Sequence, residues 1–341
     1  MTLPSTTLEL NRCIFGDALK VLRTLPDGVF DACISSPPYW RLRSYDCRGQ
    51  YGLEATPEKY IRKQVAVFRE IRRVLHKRGS LWLVIGDSAA ASGCGGGGRF
   101  MKERGEGAWS MQAQLKGFCK ASRGLKRKDM VGIPWMLAFA LRADGWYLRQ
   151  DIIWEKLNPQ PESVKDRPSR AHEYVFLLSK SPGYYYNGAA IREATTGNAH
   201  PRGDGLNPKA RANATGSRQN ESFSGATSGY SQAADRNARS VWTFPSEPYS
   251  GAHFAPFPTA LVKRCMLAGC PEGGVVIDPY IGSGTVGRVA EDLGRRWLGI
   301  ELGKHYAPLI ARRTAQKGML FHEPPEPARH EPEQFDLEVG A

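Results

Sequence analysis

Val275-Val276-Ile277-Asp278-Pro279-Tyr280-Ile281-Gly282-Ser283-Gly284-Thr285 is an apolar, β-branched run that breaks into a glycine-containing turn. Val286–Leu293 then reads as a helix, and Trp297–Ile300 as a second strand. Strand, turn, helix and strand in so short a span make one crossover unit, which needs a parallel sheet to rest on. Glycines let the backbone approach a ligand closely at the start of a helix.

Glu301 follows the second strand, about 20 residues beyond the turn, where an acid suits the two ribose hydroxyls of an adenosyl ligand. The same logic serves dinucleotides, so this stretch alone leaves a nicotinamide cofactor and S-adenosylmethionine both open. The pattern is Gly282-x-Gly284, with Gly287 following. A cofactor with no phosphates to hold tolerates so loose a pattern.

Outward from this unit, further short runs predict strands at Cys13–Phe15, Phe30–Ser35, Leu81–Ile85, Asp151–Trp154 and Tyr174–Leu178. Helical patterns lie between many of them. Lys59–His76 places Ile61, Val65, Phe68, Ile71, Val74 and Leu75 on one face, and Pro134–Ala143 and Pro258–Ala268 look similar. Strands alternating with helices predict a Rossmann-like α/β fold, a mostly parallel sheet with helices on both faces. The 341 residues suffice for one such domain, expected over residues 1–320.

Two inserts break the rhythm. Residues 92–128 carry Gly95–Gly98 followed by many Lys and Arg, and residues 195–240 are rich in Gly, Asn, Ser, Ala and Arg. Neither can bury much apolar surface, so both are expected to be mobile without a partner. Basic residues among amides and hydroxyls are also what DNA phosphates and base edges require. The second insert is therefore expected to recognise the target, and the Pro- and Glu-rich tail, residues 321–341, to be disordered.

The net charge of +13, from 47 Lys and Arg against 34 Asp and Glu, points to a polyanionic partner, with nucleic acid first. No apolar run is long enough for a membrane helix, and Met1–Leu10 lacks the pattern of a secretory signal. The seven cysteines, at positions 13, 33, 47, 94, 119, 265 and 270, form no Cys-x-x-Cys pair. That argues against disulfides and structural zinc, no metal is expected, and a reducing cytoplasm fits best.

The most specific stretch is Phe30-Asp31-Ala32-Cys33-Ile34-Ser35-Ser36-Pro37-Pro38-Tyr39-Trp40. A strand runs into Ser-Pro-Pro-Tyr, whose two prolines fix φ, remove two N–H donors and hold the carbonyls rigidly. The Ser36 Oγ and the Pro37 carbonyl can then accept hydrogen bonds from one amino group. An aryl amine is a poor nucleophile because its lone pair is delocalised into the ring. Two acceptors off the ring plane favour a pyramidal nitrogen with that lone pair aimed at a methyl donor. Tyr39 would stack on the target base, which must leave the duplex to reach the pocket.

With these motifs in this order, the chain resembles the DNA amino-methyltransferases of the circularly permuted β group. There the catalytic motif comes early and the cofactor turn late, as Ser36–Tyr39 and Asp278–Thr285 do here. The resemblance covers most of residues 8–318, without the inserts and the tail. It implies S-adenosylmethionine as methyl donor and a base flipped from double-stranded DNA as acceptor. Asp17, in Gly16-Asp17-Ala18, would lie near the cofactor adenine, Asp278, Pro279, Tyr280, Gly282, Ser283, Gly284 and Thr285 along its methionine end, and Glu301 at its ribose. His253 through Phe257 and Pro258 resemble the segment that closes over the cofactor, although the family commonly has proline where Phe254 stands. Asp151–Lys156 and Arg167-Pro168 through His172-Glu173-Tyr174 resemble the surroundings of the target-base pocket, where Trp154 can equally be a core aromatic and Glu173 the partner of a nearby cation.

Serine at the head of the motif often accompanies cytosine N4 methylation in this family, and Asp or Asn adenine N6, so cytosine N4 is expected first. The resemblance also implies a bacterial or phage-encoded protein acting on DNA. A cognate restriction endonuclease on a separate chain and pairing into a homodimer fit the same setting. Three other readings compete. Cytosine C5 methylation needs a cysteine nucleophile, but Cys33 sits inside the strand and no Pro-Cys pair occurs. A DNA-binding relative without turnover is opposed by the intact motif. A nicotinamide-dependent oxidoreductase lacks a further acid–base pair.

Overall fold

The structure, a computed structural model, describes residues 8–43, 45, 47–90, 124–159, 161–162, 164–194, 235–247 and 258–315. The first half runs β1 (Arg12–Phe15), α1 (Ala18–Leu22), β2 (Phe30–Ser35), α2 (Pro57–Val74), β3 (Leu75–Ile85), α3 (Ile133–Ala143), β4 (Tyr147–Lys156) and β5 (His172–Ser179). The second half adds β6 (Glu193–Ala194), β7 (Asp235–Arg236), β8 (Val241–Phe244), α4 (Thr259–Gly269), β9 (Val275–Asp278), α5 (Thr285–Asp292), β10 (Arg296–Glu301) and α6 (Ala307–Ala315). Eight strands form one sheet in the order β1-β10-β9-β2-β3-β5-β4-β8, and β6 pairs with β7 at the foot of the second insert.

β1, β10, β9, β2 and β3 are mutually parallel, β5 runs against β3 and β4, and β8 is parallel to β4. The mostly parallel α/β fold expected from the sequence is therefore the one observed.

Side chains alternate between two buried layers, as the pleat requires. Cys33, Leu81, Leu83, Phe176, Ile277 and Leu298 pack beneath α1, α2 and α3. Ala32, Ile34, Trp82, Val84, Val175 and Val276 pack against α4, α5 and α6. Burial on both faces explains why the central strands read as continuous apolar runs.

The helix α2 starts where Thr56 caps it, accepting from the Lys59 N–H at 3.3 Å, with Pro57 opening the first turn. Its buried face carries Tyr60, Ile61, Gln64, Val67, Phe68, Ile71 and Val74. At Leu75 the backbone turns extended (φ −70°, ψ 143°), so the helix ends at Val74, two residues before the expected end at His76. Leu75 prolongs the apolar face but is already in β3.

Gly287 has a packing role in α5. A Cβ there would lie 2.8–3.1 Å from the indole of Trp297, which is buried and held by a 2.8 Å bond to Glu291. The glycine brings helix and strand together, the part the third glycine plays in dinucleotide folds. Gly287→Ala is expected to destabilise the protein by about 1–3 kcal/mol, because the rigid ring cannot yield. Urea unfolding checks this, and an unchanged midpoint would show that the ring moves. Among the described residues no helix is long and apolar enough to cross a membrane.

Candidate active site

Because five neighbouring strands share one direction, their C-terminal ends meet at one edge of the sheet. Ligands of open α/β sheets bind there. β1 delivers Gly16-Asp17, β10 Glu301, β9 the turn from Pro279, β2 Ser36–Tyr39 and β3 Gly86-Asp87. The antiparallel β5 begins at the same edge with His172-Glu173, and β4 ends there with Lys156. Together they enclose a cavity of about 410 Å³, within the range of roughly 300–1,000 Å³ usual for small-molecule sites.

Of the residues expected at the site, Asp17, Ser36, Pro37, Pro38, Tyr39, Pro279, Tyr280, Gly282, Ser283, Thr285 and Glu301 line this one cavity. Residues more than 240 positions apart in sequence thus share a wall through the adjacent strands β2 and β9. His253 and Phe257 lie outside the described residues.

The Gly turn keeps its shape through Gly282 and Gly284, both at positive φ (52° and 88°), where a side chain would be strained. Glu301 clasps it, accepting from the Gly282 N–H at 3.0 Å and the Gly303 N–H at 2.8 Å. Burial raises the Glu301 carboxyl above its ordinary value, and these amide bonds oppose the shift. Asp17 caps α1, accepting from the Lys20 N–H at 3.0 Å, and also accepts from the Tyr51 hydroxyl at 3.2 Å. The Tyr51 and Tyr280 rings meet edge to face at 5.8 Å, and the Tyr280 hydroxyl donates to Gln64 at 2.9 Å.

Asp278 differs from its expected place. It is 1% exposed and is not part of the cavity wall. Its Oδ1 accepts from the Ser35 hydroxyl at 2.6 Å and the Tyr280 N–H at 3.0 Å, which ties the ends of β2 and β9 together. Its Oδ2 is buried and has no hydrogen-bond partner among the described residues. Gly284, as the first residue before α5, likewise stands behind the wall.

Burial, opposed by the Ser35 and Tyr280 bonds, pushes the Asp278 carboxyl from an ordinary 3.8 up to about 7. The folded state therefore holds this proton more tightly than the unfolded chain. The resulting stabilisation is complete below about 3.8, declines as pH rises, and is gone above about 7. Asp278→Asn is expected to lack this slope, gaining on the parent by at most about 1.4 kcal/mol per pH unit between those limits. Unfolding midpoints at pH 5, 6 and 7 decide; parallel curves for the two proteins would contradict it.

On the β3–β5 side, the Asp87 carboxylate accepts from the N–H groups of Ser88, Gly132 and Ile133 at 2.8–3.1 Å. It caps α3, whose own N-cap residue is a glycine. Arg170 donates to the Asp87 carbonyl. The Tyr39 hydroxyl donates to Glu173 at 2.5 Å, and Lys156 pairs with the same carboxylate. Burial and the adjacent Glu173 push the Tyr39 phenol well above its ordinary value, so it stays a donor. Asp87 and Tyr51 line the cavity but carry no local sequence signal, since tertiary contacts place them.

The donor set fits an adenosyl sulfonium. It offers aromatic faces at Tyr51 and Tyr280, two acids at Asp17 and Glu301, and a glycine turn at a helix start. Opposite them stands a stiff Ser-Pro-Pro-Tyr turn that places the Ser36 hydroxyl at the cavity wall beside the Tyr39 phenol.

The model of the N6/N4 DNA methylase family matches residues 30–312. Type II methyltransferase M.SmaI of Serratia marcescens is 42% identical over 317 residues, 92% of this chain and 93% of that one. Type II methyltransferase M.Cfr9I of Citrobacter freundii is 42% identical over 311 residues, 91% of this chain and 90% of that one. Among solved structures, a DNA modification methylase from Thermus thermophilus complexed with S-adenosyl-L-methionine superposes with a TM-score of 0.54 at 24% identity, covering 89% of this chain and 95% of that one. PvuII DNA methyltransferase, described as cytosine-N4-specific, gives 0.58 at 16% identity, with 92% and 89% covered. At these identities the two structures establish the fold.

Proposed function

This chain belongs to the N6/N4 DNA methylase family, and from that premise we propose that it moves the methyl group of S-adenosylmethionine to the exocyclic amine of a base flipped out of double-stranded DNA, with cytosine N4 as the acceptor. The observation that carries this reading is the single cavity shared by Ser36–Tyr39 and the Pro279–Thr285 turn. When bound, S-adenosylmethionine supplies an electrophilic methyl on a positively charged sulfur.

The chain's own residues do the rest. Asp17, Glu301 and the backbone of Gly282, Ser283 and Thr285 hold the donor, and Tyr51 and Tyr280 supply aromatic surface for its base. Ser36 Oγ and the Pro37 carbonyl accept the two amine hydrogens of the target, which turns its lone pair out of conjugation. Tyr39 stacks on that base. No covalent intermediate is needed. Cys33, the thiol nearest this turn in sequence, is fully buried and its thiol is raised well above its ordinary value by burial. It cannot serve as the nucleophile that ring methylation requires.

In this reading residues 1–320 act as one methyltransferase domain, and the inserts 92–128 and 195–240 grip phosphates and read bases. A restriction endonuclease on a separate chain fits the Type II names of the relatives. Adenine N6 is the second reading, because the same acceptor pair serves either amine. Methylome sequencing of DNA from cells expressing the protein decides: N4-methylcytosine at one fixed sequence is expected, and N6-methyladenine there would transfer the assignment to adenine.

A further inference from the structure

We propose that Glu173, anchored by Lys156, is a positioning residue that locks Tyr39 and, through the stiff turn, sets the orientation of Ser36. This rests on the methyltransferase reading above. Four strand ends build the lock. Tyr39 follows β2, Gly86 follows β3, Glu173 opens β5 and Lys156 closes β4. In the β4–β5 register Trp154 stands opposite Glu173, so Lys156, two residues on, projects from the same face. Its ammonium lies 4.9 Å from the centre of the Trp154 ring and pairs with the carboxylate.

Each Glu173 oxygen has its own donor, Oε2 the Tyr39 hydroxyl and Oε1 the Lys156 ammonium. The Glu173 and Lys156 side chains are only 15% and 22% exposed. Charge-assisted bonds in so poorly hydrated a place are stronger and more directional than surface ones. Gly86 closes the other side of the ring. A Cβ at that position would stand 2.8 Å from Tyr39 Cε2 and 3.3 Å from Glu173. The phenol is thus held at its hydroxyl and pressed along its edge.

Only Pro37 and Pro38 separate this fixed ring from Ser36, and both have φ set by their rings. Freedom lost at Tyr39 is therefore lost at Ser36 as well. A reacting group displaced by about 1 Å can cost 10²-fold in rate, so a carboxylate that acts through the Tyr39 hydroxyl can govern turnover.

The test is a double-mutant cycle on single-turnover methyl transfer, with cofactor affinity measured by calorimetry. Glu173→Ala is expected to slow transfer by roughly 10–100-fold, and Glu173→Gln, which keeps an acceptor for the phenol, by clearly less. Donor affinity is expected to stay within about twofold in both. In a Tyr39→Phe background, Glu173→Gln should add nothing, because the bond through which it acts is gone. Additive losses in the cycle, or matched losses of donor affinity, would overturn the positioning role while leaving the functional reading intact. A parent protein that transfers no methyl would overturn both.

Discussion

Ser36→Ala is expected to lower the methyl-transfer rate by about 10²–10³-fold while donor affinity stays within about twofold of the parent. Ser36 lines the cavity at the end of β2, and the residues expected to hold the donor come from β1, β9 and β10. Binding of the donor and activation of the amine are therefore built on different strands. The hydroxyl supplies one of two acceptors that reshape the amine only as its lone pair is used, so its loss falls on the transition state. A pre-set acceptor in a partly dry cavity acts in a low dielectric, where it counts for more than in water. Asp278→Ala contrasts with it. That change frees the ends of β2 and β9 that Ser35 and Asp278 join, and it is expected to weaken donor binding. Equal losses of rate and affinity from both substitutions would refute this division.

DNA affinity is expected to fall by about 10³-fold or more between 50 and 200 mM salt if roughly six phosphates are neutralised, with a log–log slope near −5. The motive is the excess of 47 basic over 34 acidic residues. Some basic side chains are already engaged. Arg192, Arg236, Arg239 and Arg264, around the foot of the second insert, share Glu193 and Asp235. More cations than anions stand there, so pairing does not cancel the local charge. Fluorescence anisotropy across a salt series measures the slope; a slope near zero would deny a phosphate-gripping role to the basic residues.

How far the sequence revealed the fold depended on burial. β2 is expected at Phe30–Ser35 and lies there, because a strand covered on both faces leaves a mostly apolar run, here Phe30 and Ala32–Ile34 around Asp31. The apolar run predicts β3 from Leu81, whereas the strand begins at Leu75. The missing segment includes the exposed His76-Lys77-Arg78, which carry no strand pattern because no layer covers them. α1 and β8 went unread for a different reason. α1 is a single five-residue turn, too short to show a helical period, and β8 is an edge strand with one buried residue, Trp242, so it leaves no apolar run.

The site was legible where chemistry needs a local motif. Ser36–Tyr39 and the Gly282–Thr285 turn are contiguous, and their rigidity is written in proline and glycine. Asp278 shows the limit of such reading. The family resemblance implies a place for it along the methionine end of the cofactor; in the structure it is bonded to Ser35 and is not part of the cavity wall. Glu173 shows the same limit from the other side. A cation partner was foreseen for it, and Lys156 is that cation. Its bond to Tyr39, 134 residues away, arises only when β5 packs beside β3. The resemblance drawn from these motifs agrees with the family match over residues 30–312.

In the function proposed for this chain, an exocyclic amine receives the methyl group at Ser36–Tyr39. The most direct test is to incubate the purified protein with isotopically labelled S-adenosylmethionine and mixed-sequence duplex DNA, digest the DNA to nucleosides, and identify the labelled product by mass spectrometry. Label is expected on N4-methylcytosine, forming about 10²–10³-fold more slowly with Ser36→Ala. Label on 5-methylcytosine, or none in any nucleoside, would contradict the proposed function.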